Sequence, residues 1–122
     1  MEIKALKQVF SVCKVPDLSG FDLTEEYYFI GKTDEELSLV CPQSAVPKNA
    51  LHCENGFRAF RIQGILDFSL VGILAKLTAL LAENGIGLFA VSTYNTDYIL
   101  TKAELFQKAL DILKSNGYTL AK

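Results

Sequence analysis

Leu70-Val-Gly-Ile-Leu-Ala-Lys-Leu-Thr-Ala-Leu-Leu-Ala-Glu-Asn-Gly85 is the stretch on which the fold turns. Apolar residues fall at Leu70, Ile73, Leu74, Leu77, Leu80 and Leu81, the spacing that lines one face of a helix, and Asn84-Gly85 supplies a left-handed stop. Just upstream, residues 57–64 alternate, with Phe60 and Ile62 on one side and Arg61 and Gln63 on the other, which predicts a half-buried strand.

Downstream, residues 86–93 and 97–101 are rich in β-branched and aromatic side chains, and Tyr94-Asn95-Thr96 between them has hairpin composition. Thr101-Lys102-Ala103-Glu104 matches a capping box, and Leu105, Phe106, Ala109, Leu110 and Leu113 form the buried stripe of a second helix. Asn116-Gly117 ends that helix, and residues 118–121 read as a short closing strand. The predicted class is therefore α+β, in the order strand, helix, strand, strand, helix, strand: the split βαβ arrangement of ferredoxin-like domains.

The first half repeats this outline in worn form. At an offset of 61 residues, Asn55-Gly56-Phe57 matches Asn116-Gly117-Tyr118, and the strand pair 27–41 matches 88–102. Nearer the start Val15-Pro16-Asp17-Leu18-Ser19 matches Ile65-Leu66-Asp67-Phe68-Ser69 at an offset of 50, so the place of the first helix has been lost. Pro42 and Pro47 interrupt the place of the second. The division expected is a degenerate, helix-poor half over 1–56 and a complete βαββαβ domain over 57–122.

Composition narrows the function by exclusion. Lys plus Arg total 12 against 14 Asp plus Glu, without a basic stripe, so neither nucleic acid nor an anionic membrane is an expected partner. The most apolar stretch, 70–82, carries Lys76 and is too short to span a bilayer, and the Met-Glu-Ile-Lys start has no export core, which predicts a cytoplasmic protein. Cys13, Cys41 and Cys53 lack the spacing of a zinc or redox pair and read as buried thiols. His52 and Cys53 are neighbours in a segment over 47–56 that reads as a linker, where side chains alternate, so neither a Cys-His nucleophile nor a metal site is expected. Glycine-rich nucleotide loops and the Gly-x-Ser-x-Gly elbow are absent, and with them any expected cofactor or catalytic residue.

Two motifs carry a family likeness: Gly64-Ile-Leu-Asp-Phe-Ser-Leu-Val-Gly-Ile-Leu-Ala75 at the strand-to-helix junction, and Ser92-Thr-Tyr-Asn-Thr-Asp-Tyr-Ile-Leu100 across the hairpin. Together they resemble the ACT family, in particular the branch of CASTOR-type arginine sensors and aspartate kinase regulatory domains. The resemblance implies a ferredoxin-like ACT fold and association into a homodimer or higher oligomer. It also implies a regulatory or sensor protein, not an enzyme, that binds a free amino acid or similar small metabolite at an interface between ACT units, with a regulated enzyme as a further partner. The alternative is a ligand-free interaction or oligomerisation module.

A free amino acid needs an anion site beside a cation site. The helix start, with Asp67, Ser69, Leu70, Val71 and Gly72, offers unpaired backbone amides to a carboxylate. Asp97 is the natural acceptor for the ammonium, with Ser92, Thr93, Asn95 and Thr96 as neutral partners. Plainer duties compete: Asp67 or Ser69 as a helix cap, Asn95 and Asp97 as turn formers, and Gly72 as a close-packing position. Tyr94 and Tyr98 read as packing or interface residues.

Overall fold

In the computed structural model, which describes residues 1–64 and 71–121, the chain forms two compact units, Met1–Lys7 with Arg58–Lys122, and Gln8–Phe57. The elements run β1 (Glu2–Lys14), β2 (Phe29–Lys32), β3 (Leu37–Pro42), a 3-10 turn (Gln43–Ala45), β4 (His52–Ile62), α1 (Ile73–Glu83), β5 (Leu88–Ser92), β6 (Asp97–Lys102), α2 (Ala103–Ser115) and β7 (Thr119–Leu120). The α+β class expected from the sequence holds. Residues Asp67, Ser69 and Leu70, named above, lie outside the described residues.

In the unit that contains both helices, the strands lie in the order β7, β1, β4, β6, β5. Alternation along β4 sends Phe60 and Ile62 to the helix side. There they join Ile3, Leu77, Leu81, Ile86, Ile99, Phe106, Ala109, Leu110, Leu113 and Tyr118 in one core. Ile73, Leu74 and Leu80 pack against its margin, so the helical stripe predicted from 73 onward is the stripe that is buried. The closing strand β7 pairs in parallel with β1, Glu2 opposite Thr119 and Ile3 opposite Leu120, and β1 thereby stands between β7 and the unit's own first strand, β4.

Both Asn-Gly stops act as predicted. Gly85 (φ 74°) and Gly117 (φ 93°) take the left-handed conformation, and Ile86 and Tyr118 each donate a backbone N–H five residues back, to Leu81 and Leu113, at 3.0 Å. The capping box does not form. β6 continues to Lys102, Thr101 is buried in it opposite Leu88, and its hydroxyl donates to the Lys102 carbonyl at 3.2 Å. Packing has claimed the side chain that a cap requires. Glu104 in the first turn of α2 and Lys114 in the last still match the helix dipole.

The unit Gln8–Phe57 has strand order β2, β3, β1, β4 and no α-helix. Its core is Cys13, Val15, Phe21, Leu39 and Cys41, with Phe21 meeting Tyr28 edge to face at 4.9 Å. The place of the missing first helix is a loop held by short side-chain turns. Asp17 accepts from the Ser19 hydroxyl and amide and from Asn49, Asp22 accepts from the Thr24 hydroxyl and amide, and these bonds hold both carboxyls below the ordinary carboxylate range. Two sequence expectations need correction here. The supposed linker is β4 from His52 onward, with Gly56 at φ 81° inside the strand, its N–H donating to Gln43 Oε1 at 3.0 Å. Cys53 is exposed, whereas Cys13 and Cys41 are buried.

The two hairpins are alike in detail, although at an offset of 60 instead of 61. Lys32 pairs with Leu37 as Ser92 pairs with Asp97. The Thr33 N–H donates to the Glu36 carbonyl at 2.9 Å as the Thr93 N–H donates to that of Thr96 at 2.8 Å. Leu39, Val40 and Cys41 are buried, as are Ile99, Leu100 and Thr101. The pairing register and the turn hydrogen bonds coincide at 60, and they decide the offset.

Because Leu77 is fully buried at the centre of the helix-side core, Leu77→Ala is expected to lower the unfolding free energy by about 2–5 kcal/mol. Val71→Ala, at a position 94% exposed, should change it by less than about 0.5 kcal/mol. Urea unfolding of the two variants checks both values.

Candidate functional site

The end of the helix-bearing unit at which β4 finishes gathers most of the described candidate residues. Ile62 closes β4, and its carbonyl accepts the Thr96 hydroxyl at 2.8 Å. Thr96 is the last residue before β6, so this buried bond fixes the start of β6, and with it Asp97, to the end of β4. On the other side of Ile62, the Gln63 N–H donates to the Glu2 carbonyl at 2.9 Å. Met1, next to Glu2, lines a hollow of about 310 Å³ together with Ile73 and Lys76 from the first turn of α1 and with Asn116, Gly117 and Tyr118. The chain of contacts from Tyr118 to Asp97 thus runs along one end of the sheet, and α1 begins at that same end. No hairpin residue from 92 to 97 lines that hollow.

Within the hairpin the candidates form a local network. The Ser92 hydroxyl donates to Asp97 Oδ1 at 2.5 Å across the non-loop end of the turn, where the two residues are directly paired. Thr93 closes the four-residue loop through both its N–H and its hydroxyl, each donating to the Thr96 carbonyl, while the Thr96 N–H donates back to Thr93 Oγ1 at 3.3 Å. Turn formation therefore rests on Thr93 and Thr96, not on Asn95, which is exposed at the tip. Asp97 is half-buried and carries one neutral donor from Ser92; a carboxylate has room for several more.

Val71 and Gly72 form the entry to α1. Gly72 has φ 83° and occupies the cap position, and a Cβ placed on it would meet nothing within 4 Å. Its requirement is conformational, because a left-handed φ is unfavourable for residues with a Cβ; close packing is not the reason. Among the described residues α1 has no capping side chain and no acidic residue in its first turn; the charge there is Lys76, whose backbone N–H donates to the Gly72 carbonyl at 2.9 Å, and the amides of residues 73–75 are the ones a helix start leaves without an intrahelical acceptor. Asp67, Ser69 and Leu70 belong to the segment outside the described residues.

Sequence pattern alone marks Arg61 only as a residue off the core side of its strand. Its guanidinium donates to the Tyr98 hydroxyl at 3.1 Å, its Nε donates to Gln63 Oε1 at 3.1 Å, and it stands over the Tyr98 ring at 5.9 Å. The strand alternation, which put Arg61 and Gln63 together, was the available signal. The other hairpin has Lys32 and Leu37 at the positions of Ser92 and Asp97, so the hydroxyl–carboxylate pair is present in one hairpin alone.

Thr96→Val removes a buried hydroxyl and leaves the Ile62 carbonyl without that donor, and is expected to cost about 1–3 kcal/mol in urea unfolding. Asn95→Ala at the exposed tip should stay within about 0.5 kcal/mol of the parent. Equal effects of the two changes would contradict the role given to Thr96.

Comparison with known proteins agrees with this architecture. A crystal structure of a protein from Agobacterium tumefaciens is similar over 98% of this chain and 91% of its own, with 28% identity and a TM-score of 0.87. A Vibrio cholerae protein of unknown function, titled a possible transport protein, matches over 98% and 88% at 22% identity and a TM-score of 0.77. The regulatory subunit of aspartate kinase from Thermus thermophilus, in its ligand-free form, matches over 88% and 92% at 12% identity and a TM-score of 0.59, a likeness of fold. No curated protein matches the sequence significantly. Residues 52–115, more than half of the chain, match the family described as ACT domain, and the chain belongs to that family.

Proposed function

We propose that the protein is a regulatory or sensor ACT protein that binds a free amino acid, or a small metabolite with the same paired charges, at the end of the helix-bearing unit where β4 finishes. The ligand carboxylate meets the free amides of the first turn of α1, entered through Val71 and Gly72. The ammonium meets Asp97, with Ser92, Thr93, Asn95 and Thr96 around it. Asp67, Ser69 and Leu70 complete the helix side of this proposal. The observation that carries it is the Thr96–Ile62 hydrogen bond, which ties the carboxylate-bearing hairpin to the strand end from which the chain proceeds to α1.

Both halves of the proposed recognition are physically economical. A helix N-terminus attracts an anion without needing a basic side chain, and the first turn of α1 brings no acidic residue to compete. A charge-assisted hydrogen bond to Asp97 contributes about 1.5–3 kcal/mol. Association with a second copy, as a homodimer or higher oligomer, belongs to the same proposal, with another ACT unit closing the site. The ligand then acts by binding one assembly state, or one partner-bound state of a regulated enzyme, more tightly than another. The duplication of an ACT-type half over 1–56 and 57–122 is supported by the matching hairpins. The placement in the CASTOR-type branch rests on the two sequence motifs alone, and a cytoplasmic location on composition alone.

A ligand-free interaction module is the second reading, favoured by one observation. Val71 is 94% exposed and Tyr94 82% exposed, two large apolar side chains, one at the entry to α1 and one in the hairpin loop.

Titration calorimetry against the twenty amino acids is expected to find saturable binding by at least one, with Asp97→Ala raising its Kd about 10- to 100-fold. Absence of binding by any of the twenty, or binding indifferent to Asp97→Ala, would remove the amino-acid assignment and leave the interaction module.

A further inference from the structure

Three cysteines that are far apart in sequence come together in the unit Gln8–Phe57. Cys13 lies on β1, and the neighbours of β1 in that unit, β3 and β4, carry Cys41 and Cys53. Cys13 Sγ stands 3.0 Å from Cys53 Sγ and shares a further side-chain hydrogen bond with Cys41. Two residues along, Ser11 on β1 donates its hydroxyl to Asn55 Oδ1 on β4 at 2.6 Å, and the same amide oxygen accepts the Cys53 thiol at 3.3 Å. The two side-chain pairs, Cys13–Cys53 and Ser11–Asn55, occupy one face and hold each other in place. A disulfide bond measures about 2.05 Å, so the sulfurs need approach by only about 1 Å to be joined.

We propose that Cys13 and Cys53 are a reversible dithiol–disulfide pair, a modification site oxidised by a peroxide. Exposure decides the order of events. Cys53 is exposed and Cys13 is buried, so the peroxide reaches Cys53 first. The Cys53 sulfur attacks one peroxide oxygen, the O–O bond breaks, and Cys53 becomes a sulfenic acid with release of one water from hydrogen peroxide. The Cys13 sulfur then attacks the Cys53 sulfur; the S–S bond forms, the S–O bond breaks, and the departing hydroxide takes the Cys13 proton as a second water. Two thiols lose two electrons and one peroxide gains them. A dithiol reductant reverses the step by thiol–disulfide exchange.

Burial and the adjoining sulfurs push the Cys13 thiol far up, and burial pushes Cys41 up to about 11, so both inner thiols stay protonated and neither is the first to react with the peroxide. Cys41 is opposite Ser11 in the β1–β3 register, two pairs removed from Cys13 opposite Leu39, and remains the reduced third thiol. The link joins residues 40 apart in the chain and constrains the unfolded state accordingly.

The test treats the full chain with hydrogen peroxide, then denatures and alkylates it for intact-mass and peptide analysis. The expected product is a monomer lighter by two hydrogens, with one alkylated cysteine, Cys41, and a Cys13–Cys53 crosslinked peptide. Dithiothreitol should restore three alkylated cysteines, and the oxidised form should melt higher by on the order of 5 °C. Cys41→Ser should still crosslink, and Cys53→Ser should give no intramolecular link. Three free thiols after oxidation, a link through Cys41, an oxygen adduct on Cys53 without a link, or only a Cys53-linked dimer would each overturn the proposal.

Discussion

The hydroxyl of Thr96 donating to the carbonyl of Ile62 is the bond on which the geometry of the β5–β6 hairpin end depends. Backbone ladders specify which strands are neighbours but leave the loop beyond the last pair free to splay. A buried side-chain bond from the last loop residue to the last carbonyl of the adjoining strand removes that freedom. It costs little, since a threonine hydroxyl needs an acceptor once it is buried and a terminal carbonyl needs a donor. Asp97 follows Thr96 directly, so its position is inherited from a contact it does not make.

Much of this was legible in the sequence because it rests on periodicity. The face Ile73, Leu74, Leu77, Leu80, Leu81, the stripe of α2, the alternation at Phe60 and Ile62 and the two Asn-Gly stops each depend on spacing within one element. What failed depended on competition between elements. Thr101 has the sequence context of a cap, but burial in β6 claims its side chain. Residues before Gly56 read as a linker because an Asn-Gly pair and a nearby proline suggest a turn. In the fold the glycine takes its positive φ inside a long strand, a use that composition does not distinguish from a stop. The pairing of β7 with β1, and the meeting of three cysteines, require contacts across the chain that no local spacing encodes.

Of the residues named for the candidate site, the hairpin group is brought together by the fold, and the bonds that shape its turn are what local composition does not reveal. Asn95 was given the turn, whereas Thr93 and Thr96 form it through hydroxyl and backbone bonds. Gly72 was given to ligand approach or packing, and its geometry instead answers to the left-handed entry into α1. Arg61 received no role, because a cation on the polar side of an alternating strand looks like ordinary surface until Tyr98 and Gln63 are found beside it. The two hairpins, alike in turn and burial, differ at Ser92 and Asp97 against Lys32 and Leu37, and that difference is chemical where the remainder is structural.

The central claim is that the first turn of α1 and the Asp97 hairpin serve one ligand. Amide chemical-shift mapping of the full chain during titration with a pool of free amino acids tests it most directly. The account predicts that the amides of Ile73, Leu74 and Ala75 and those of residues 92–97 shift together and saturate at the same ligand concentration. Shifts confined to one of the two groups, or to residues belonging to neither, would contradict it.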